Sequence, residues 1–317
     1  MSSKTSLKIA ILLSCLTAML CARGWAQPAP DPKSDQLPTY KVNVKLVNVY
    51  VTVLDQQGSP IGGLTKDNFK LLEDNIPQTI SVFSRESELP LSIVMAVDVS
   101  LSTKRDLPLE LQSARKFAHD ILRPQDALSL FEFCEHVDQL TPFTSSMKRI
   151  DNGISRVQGG SATALYDAIY LGSHALAKRQ GRKVLVVITD GGDTMSQVGY
   201  QEALRAAQES EALVYSLIVT PIEADAGRDL GGEHALIQMS DDTGGKYFYA
   251  SGVAQLDRAF QKISDELRTQ YLLAYYPVRR LTEGDFRRIQ VDVKADVPNG
   301  PPIARHRTGY YTAKDSF

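Results

Sequence analysis

Leu91-Ser92-Ile93-Val94-Met95-Ala96-Val97-Asp98-Val99-Ser100-Leu101-Ser102 is an apolar run that ends abruptly in a carboxylate and two hydroxyls. Without polar alternation, such a run marks a strand covered on both faces, as in a parallel sheet with helices above and below. Ligands of such sheets bind just beyond the carboxyl ends of the strands. Asp98, Ser100 and Ser102 occupy alternate positions, so an extended segment turns all three to one side. Their hard oxygens suit Mg²⁺, Mn²⁺ or Ca²⁺ better than zinc or copper. Asp and Ser are also common where strands turn into loops. The metal reading therefore needs ligands from elsewhere in the chain.

Downstream, Ala114, Phe117, Ala118, Ile121 and Leu122 fall on one helical face, and Ala127 to Cys134 reads as a strand. A polar loop is expected next, up to Gly159-Gly160-Ser161-Ala162-Thr163-Ala164-Leu165-Tyr166-Asp167, which opens a second amphipathic helix. Thr163 stands just ahead of that helix, where a threonine commonly serves as N-cap. Lys183-Val184-Leu185-Val186-Val187-Ile188-Thr189-Asp190 then repeats the opening pattern, a buried strand ending in Asp. Helices near 202–212 and 233–242, strands at 213–219 and 246–248, and a closing helix carrying Val253, Leu256, Phe260, Ile263 and Leu267 complete the alternation. The fold class is α/β: a doubly wound, mostly parallel sheet flanked by helices over residues 91–268.

The flanks differ. Lys4 and Lys8, an apolar run from Ile9 to Cys21 and then Gly24-Trp25-Ala26 form a secretory signal over 1–26, with cleavage expected after Ala26. The apolar run is short for a membrane span, and no later stretch could serve as one. A Pro-, Asp- and Ser-rich linker follows over 27–39. Cleavage removes Cys15 and Cys21, leaving Cys134 as the only cysteine, so the exported chain holds no internal disulfide. Losing Lys4, Lys8 and Arg23 takes the basic count from 35 to 32 against 37 acids, and the formal charge from -2 to -5. Such a balance attracts no nucleic acid.

Residues 40–90 read as an N-terminal β unit with strands over 42–53, 69–72 and 80–83, and 269–317 as C-terminal strands at 271–276, 287–293 and 303–311. These two sets are expected to pack into one small β-sandwich-like unit interrupted by the α/β domain.

Taken together, Asp98-Val99-Ser100-Leu101-Ser102, Thr163 in Gly-Gly-Ser-Ala-Thr-Ala-Leu-Tyr-Asp, and Asp190 in Val-Ile-Thr-Asp-Gly-Gly-Asp resemble the metal-ion-dependent adhesion site of von Willebrand factor type A domains. The resemblance spans about Leu91 to Leu267. The flanks, with Gly63-Leu64-Thr65-Lys66-Asp67-Asn68-Phe69 and Gly309-Tyr310-Tyr311, are similar to those of a bacterial exported group built on that domain. It implies that Ser100, Ser102 and Thr163 give hydroxyl or water-linked contacts to a divalent ion, Mg²⁺ or else Mn²⁺ or Ca²⁺. Asp98 and Asp190 would act largely through waters. Leu101 departs from the family, which often has Gly there, and its side chain must point away from the ion. The implied function is extracytoplasmic adhesion, periplasmic or secreted, to a protein partner that offers an acidic side chain to the metal.

Enzymatic alternatives lack their residues. There is no Gly-x-Ser-x-Gly elbow, no phosphate-binding Gly-x-x-x-x-Gly-Lys-Ser/Thr loop and no His-Glu-x-x-His pair. The five histidines are scattered. A metal-dependent hydrolase would need a nucleophile or general base beside Asp98 and Asp190, which the sequence does not supply. A metal-free structural envelope protein is the other alternative. Cys134 lies in a strand pattern and is expected to be an inert thiol, and Asp193 a solvated loop carboxylate.

Overall fold

The computed structural model describes residues 46–85, 89–103, 106–220, 230–279, 284–297 and 300–312. The expected signal and linker lie outside these residues, as does the start of the first expected strand.

Four strands precede the long apolar run: β1 (Val47–Leu54), β2 (Phe69–Glu73), β3 (Ile76–Gln78) and β4 (Ile80–Ser84). The run itself is β5 (Leu91–Asp98), buried at every position. The α/β segment continues through α1 (Leu107–Ile121), β6 (Ala127–Phe133), β7 (Val137–Thr144), α2 (Met147–Ile154), α3 (Leu165–Ala177), β8 (Arg182–Thr189), α4 (Tyr200–Glu209), β9 (Ala212–Val219), α5 (Leu230–Thr243), β10 (Lys246–Ala250) and α6 (Val253–Thr269). Four strands close the chain: β11 (Tyr271–Tyr275), β12 (Phe286–Val293), β13 (Ile303–Arg305) and β14 (Gly309–Tyr311).

The central sheet runs β10-β9-β8-β5-β6-β7, parallel except for β7, which is antiparallel to β6. Alternate residues of β5 serve opposite faces. Ile93, Met95 and Val97 pack with Phe117 of α1, Ile150 of α2 and Phe260 and Ile263 of α6. Val94 and Ala96 pack with Leu165 and Ile169 of α3, Ala203 of α4 and Leu236 of α5. Three helices on each face exclude water from both sides of the strand, which is why its sequence shows no polar alternation. β5 lies between β6 and β8, the strands that precede and follow α3, so the chain reverses its winding about β5. That reversal opens a crevice at the strand's carboxyl end.

The early and late strands do pair, in two antiparallel sheets ordered β13-β1-β11-β4 and β14-β12-β2-β3. Val49, Val51, Leu71, Tyr271, Leu273, Tyr275, Ile289 and Val291 share a core between them.

Three expectations need correction. The polar loop after Cys134 contains β7 and α2. β7 is an edge strand whose Asp138 and Gln139 are exposed, so it carries no continuous apolar run, and α2 anchors itself with little more than Ile150 and Ile154. The connector at 73–77 is a tight hairpin. Asp74 and Asn75 sit at φ 47° and 65°, a left-handed pair that Asp and Asn tolerate, and β3 folds back on β2. The last expected strand, 303–311, is two strands that join different sheets.

Candidate metal centre

Three loops at the carboxyl end of the central sheet carry the five candidate residues. In the first, Asp98 ends β5 and is fully buried. Its Oδ1 accepts the Ser100 N–H at 2.9 Å, and its Oδ2 accepts the Thr189 hydroxyl at 2.6 Å. The Thr103 hydroxyl donates to the carbonyls of Asp98 and Ser100 at 3.1 and 3.0 Å, fixing the turn. Ser100 is buried, whereas Ser102 is exposed, and their hydroxyl oxygens are 3.1 Å apart. Leu101 is 62% exposed, with its side chain largely in solvent.

The second loop is tied to the first by the Gly160 N–H donating to the Val99 carbonyl at 2.7 Å. Thr163 is buried at 6% exposure. The N-cap of α3 is Ala164 rather than Thr163, so the capping role does not account for this threonine. The third loop is tied to the second at Thr163. Its carbonyl accepts the N–H groups of Thr194 and Met195 at 2.8 and 3.1 Å, and its own N–H donates to the Thr194 hydroxyl at 2.9 Å. Asp190 stands directly after β8, and the Ser102 hydroxyl is among the groups that act on its carboxyl. The loops bearing all five residues are thus laced to one another.

Asp193, expected to be a solvated carboxylate, is half-buried. Its Oδ1 accepts the Tyr166 N–H at the start of α3 at 3.3 Å and the Ser196 hydroxyl. Cys134 is half-buried, with its thiol pushed up mainly by burial, and lies so close under Gly160 that a Cβ there would be 2.6 Å from its Sγ.

The electrostatics have one sign. Burial pushes Asp98 up to about 6 against the hydrogen bonds of Thr189 and Ser100, with Asp190 adding to the rise. Burial also raises Asp190, against the Ser102 hydroxyl. The two carboxylates therefore act on each other, with no cationic side chain among the described groups that act on them. Sequence reasoning missed two contributors. Thr189 was quoted only as part of the strand, although the alternation that faces Asp98 into the loop carries it along. Glu110, 1% exposed on the first turn of α1, falls on the buried stripe with Ser113, Ala114 and Phe117, where a carboxylate is conspicuous.

The donor set fits a hard divalent ion. Neighbouring oxygens of an octahedral Mg²⁺, each about 2.1 Å from the metal, lie about 3 Å apart, close to the Ser100–Ser102 separation. Among the described residues no three His, Cys, Asp or Glu side chains converge as ligands, so the oxygens on offer to a cation are largely hydroxyls.

A doubly wound sheet with an oxygen-lined, three-loop crevice at its switch point is an α/β architecture of the kind in which ligands bind at the carboxyl ends of the strands. Residues 93–192 match the family described as von Willebrand factor type A domain, so this part of the chain is similar to that family. Domains of this kind generally mediate protein–protein interaction and are generally not enzymes. No curated protein matches the chain. Among solved structures it is similar to proximal thread matrix protein 1 from the mussel byssus, at 14% identity and TM-score 0.50, over 62% of this chain and 51% of that one. It is also similar to a von Willebrand factor type A protein from Catenulispora acidiphila, at 10% identity and TM-score 0.49, over 87% and 76%. The conserved hypothetical protein BatB from Bacteroides thetaiotaomicron matches at 21% identity and TM-score 0.46, over 56% and 100%. At these identities the likeness is one of fold. No helix among the described residues is long and apolar enough to cross a membrane.

Proposed function

We propose that the protein is an exported binding module that holds a divalent cation, Mg²⁺ or else Mn²⁺ or Ca²⁺, between Ser100, Ser102 and Thr163, with Asp98 and Asp190 behind them. Its partner is a protein that offers an acidic side chain to the ion. The observation that carries this reading is the pair of hydroxyl oxygens 3.1 Å apart beside two carboxylates on which, among the described residues, no cationic side chain acts. Neutral hydroxyls leave a divalent ion electrophilic, and an ion held from one side keeps a coordination position for an incoming oxygen. Asp98 and Asp190 balance its charge without quenching it, and an acidic side chain from a partner is the complementary ligand. Export rests on the signal pattern at 1–26, which predicts an extracytoplasmic protein beginning at Gln27.

Calorimetric titration of the purified protein with Mg²⁺ and Mn²⁺ tests the site. Wild type should bind, Asp98→Ala should not, and Thr163→Ala should bind about tenfold more weakly, the order of loss seen when a metal site's supporting groups are removed. An Asp98→Ala protein with wild-type affinity would refute the site. Partner capture that persists in EDTA would refute its adhesive role.

A further inference from the structure

Glu110 is almost completely buried, and neither of its carboxylate oxygens has a hydrogen-bond partner. Leaving a buried carboxylate unpaired costs several kcal/mol, so such groups are normally paired or face a metal. Three features place Glu110 at the cation site. It lies on the first turn of α1, which is joined to the Asp98–Thr103 loop by the Leu107 N–H donating to the Thr103 carbonyl at 3.0 Å. After burial, the charges acting on it are those of Asp98, Asp106 and Asp190, all of the same sign. Among the described residues, no lysine, arginine or histidine is among the groups that act on Asp98, Glu110 or Asp190. Like charges gathered under a low-dielectric wall, with no counterion among the described residues, are relieved by taking up a proton or a cation, and burial with these neighbours pushes Glu110 up to about 8.

We propose that Glu110 is a further carboxylate of the cation site, which supplies negative charge from its buried side and thereby sets the affinity for the divalent ion. This rests on the metal reading given above. The three carboxylates do not converge as a ligand cluster among the described residues, so Glu110 acts on the ion by its field rather than as a direct ligand. The ion faces hydroxyls and solvent on one side and this unpaired charge on the other. The arrangement divides the work: Ser100, Ser102 and Thr163 leave the ion reactive toward a partner, and Glu110 keeps it from dissociating.

The test is calorimetric titration of Mg²⁺ and Mn²⁺ into the full protein, comparing wild type with Glu110→Gln and Glu110→Asp, together with Tm measured in EDTA. Glu110→Gln keeps the shape and removes the charge, so its cation affinity should fall about tenfold or more, as for removal of groups that support metal ligands. Glu110→Asp keeps the charge and should stay nearer wild type. In EDTA the Tm of Glu110→Gln should not fall below wild type, because no native hydrogen bond is lost. Unchanged affinity in Glu110→Gln would overturn the proposal while leaving the metal site intact. Equal losses in both variants would assign the effect to packing and overturn it as well. A wild-type protein that binds neither ion would remove the metal reading itself, and this inference with it.

Discussion

Removing the cation should expose a pH-dependent weakness that can be traced to Asp98. The unfolded chain ionises this carboxyl near 3.8, whereas in the fold it is held up to about 6. Between those values the folded protein binds more protons than the unfolded one, so stability falls as pH rises. The contribution is fully present below pH 3.8, is lost progressively toward pH 6, and is constant above that. A rise from 3.8 to about 6 corresponds to about 3 kcal/mol, at about 1.4 kcal/mol for each tenfold change in proton affinity. Full burial of the side chain means that solvent screening does not reduce it. Urea denaturation in EDTA at intervals from pH 4 to pH 7 measures the fall, and Asp98→Asn isolates its source. Asparagine still accepts the Ser100 N–H but carries no charge, so the difference between wild type and variant should shrink by about 3 kcal/mol across the window. Adding Mg²⁺ to wild type should flatten the profile, since an ion that binds only the fold stabilises it by mass action. A wild-type curve in EDTA that runs parallel to that of Asp98→Asn from pH 4 to pH 6 would refute this account of the site.

Two further outcomes follow from particular contacts. Arg305 of β13 pairs with buried Glu266 of α6, which also takes the Tyr215 hydroxyl at 3.2 Å and Lys246 at 3.6 Å. Arg305→Ala should cost about 3 kcal/mol in urea denaturation by leaving that carboxylate under-compensated, and a loss below about 1 kcal/mol would mean that Lys246 suffices. A Cβ on Gly232 would lie 2.0 Å from the Gly191 carbonyl oxygen, backbone against backbone, so Gly232→Ala must displace the Asp190 loop. It should weaken Mg²⁺ binding about tenfold in calorimetry, whereas Gly199→Ala, where a Cβ meets nothing within 4 Å, should not; equal affinities would separate that loop from the site.

What the sequence disclosed depended on how strongly physical constraint marks a segment. β5 and β8 are covered on both faces, so their composition is nearly pure, and the residue that ends each run is visible at once. β7 is an edge strand with one wet face, and its Val137-Asp138-Gln139-Leu140 start reads like a loop. The split of residues 303–311 between two sheets was invisible because one short chain segment can satisfy either partner, and only the assembled sheets decide. Of the candidate site residues, Asp98, Ser100, Ser102 and Asp190 were legible because they end or follow apolar strands, and Thr163 because it stands just ahead of a helix. Glu110 was hidden by its helix: a glutamate in a first turn is ordinary, since the helix dipole favours it. Only knowledge of which face is buried makes it unusual. Thr163 illustrates the opposite case, a residue with a common local explanation that the fold removes by making Ala164 the cap.

The treatment of buried carboxylates elsewhere in this chain sharpens the reading of the crevice. Glu73, fully buried between the two antiparallel sheets, accepts the hydroxyls of Tyr275 and Tyr310 at 2.7 and 2.8 Å. Asp126 accepts the backbone N–H groups of Leu91 and Arg123 at 2.8 and 3.0 Å. Glu266 has an arginine, a lysine and a tyrosine. In each case the fold supplies donors or positive charge to at least one oxygen of the buried carboxyl group, as burial demands, although Glu73 Oε1 has no partner. At the carboxyl end of the central sheet the same chain does otherwise. Asp98 takes one backbone N–H and one hydroxyl and is still pushed up, and Glu110 takes no hydrogen bond at all. A sequence that compensates buried acids in its β sheets and at the base of its central sheet has the means to do so here. Among the described residues Glu110 alone has both carboxylate oxygens buried without a hydrogen bond, and it lies next to the loops that open to solvent, as the proposed cation site would require.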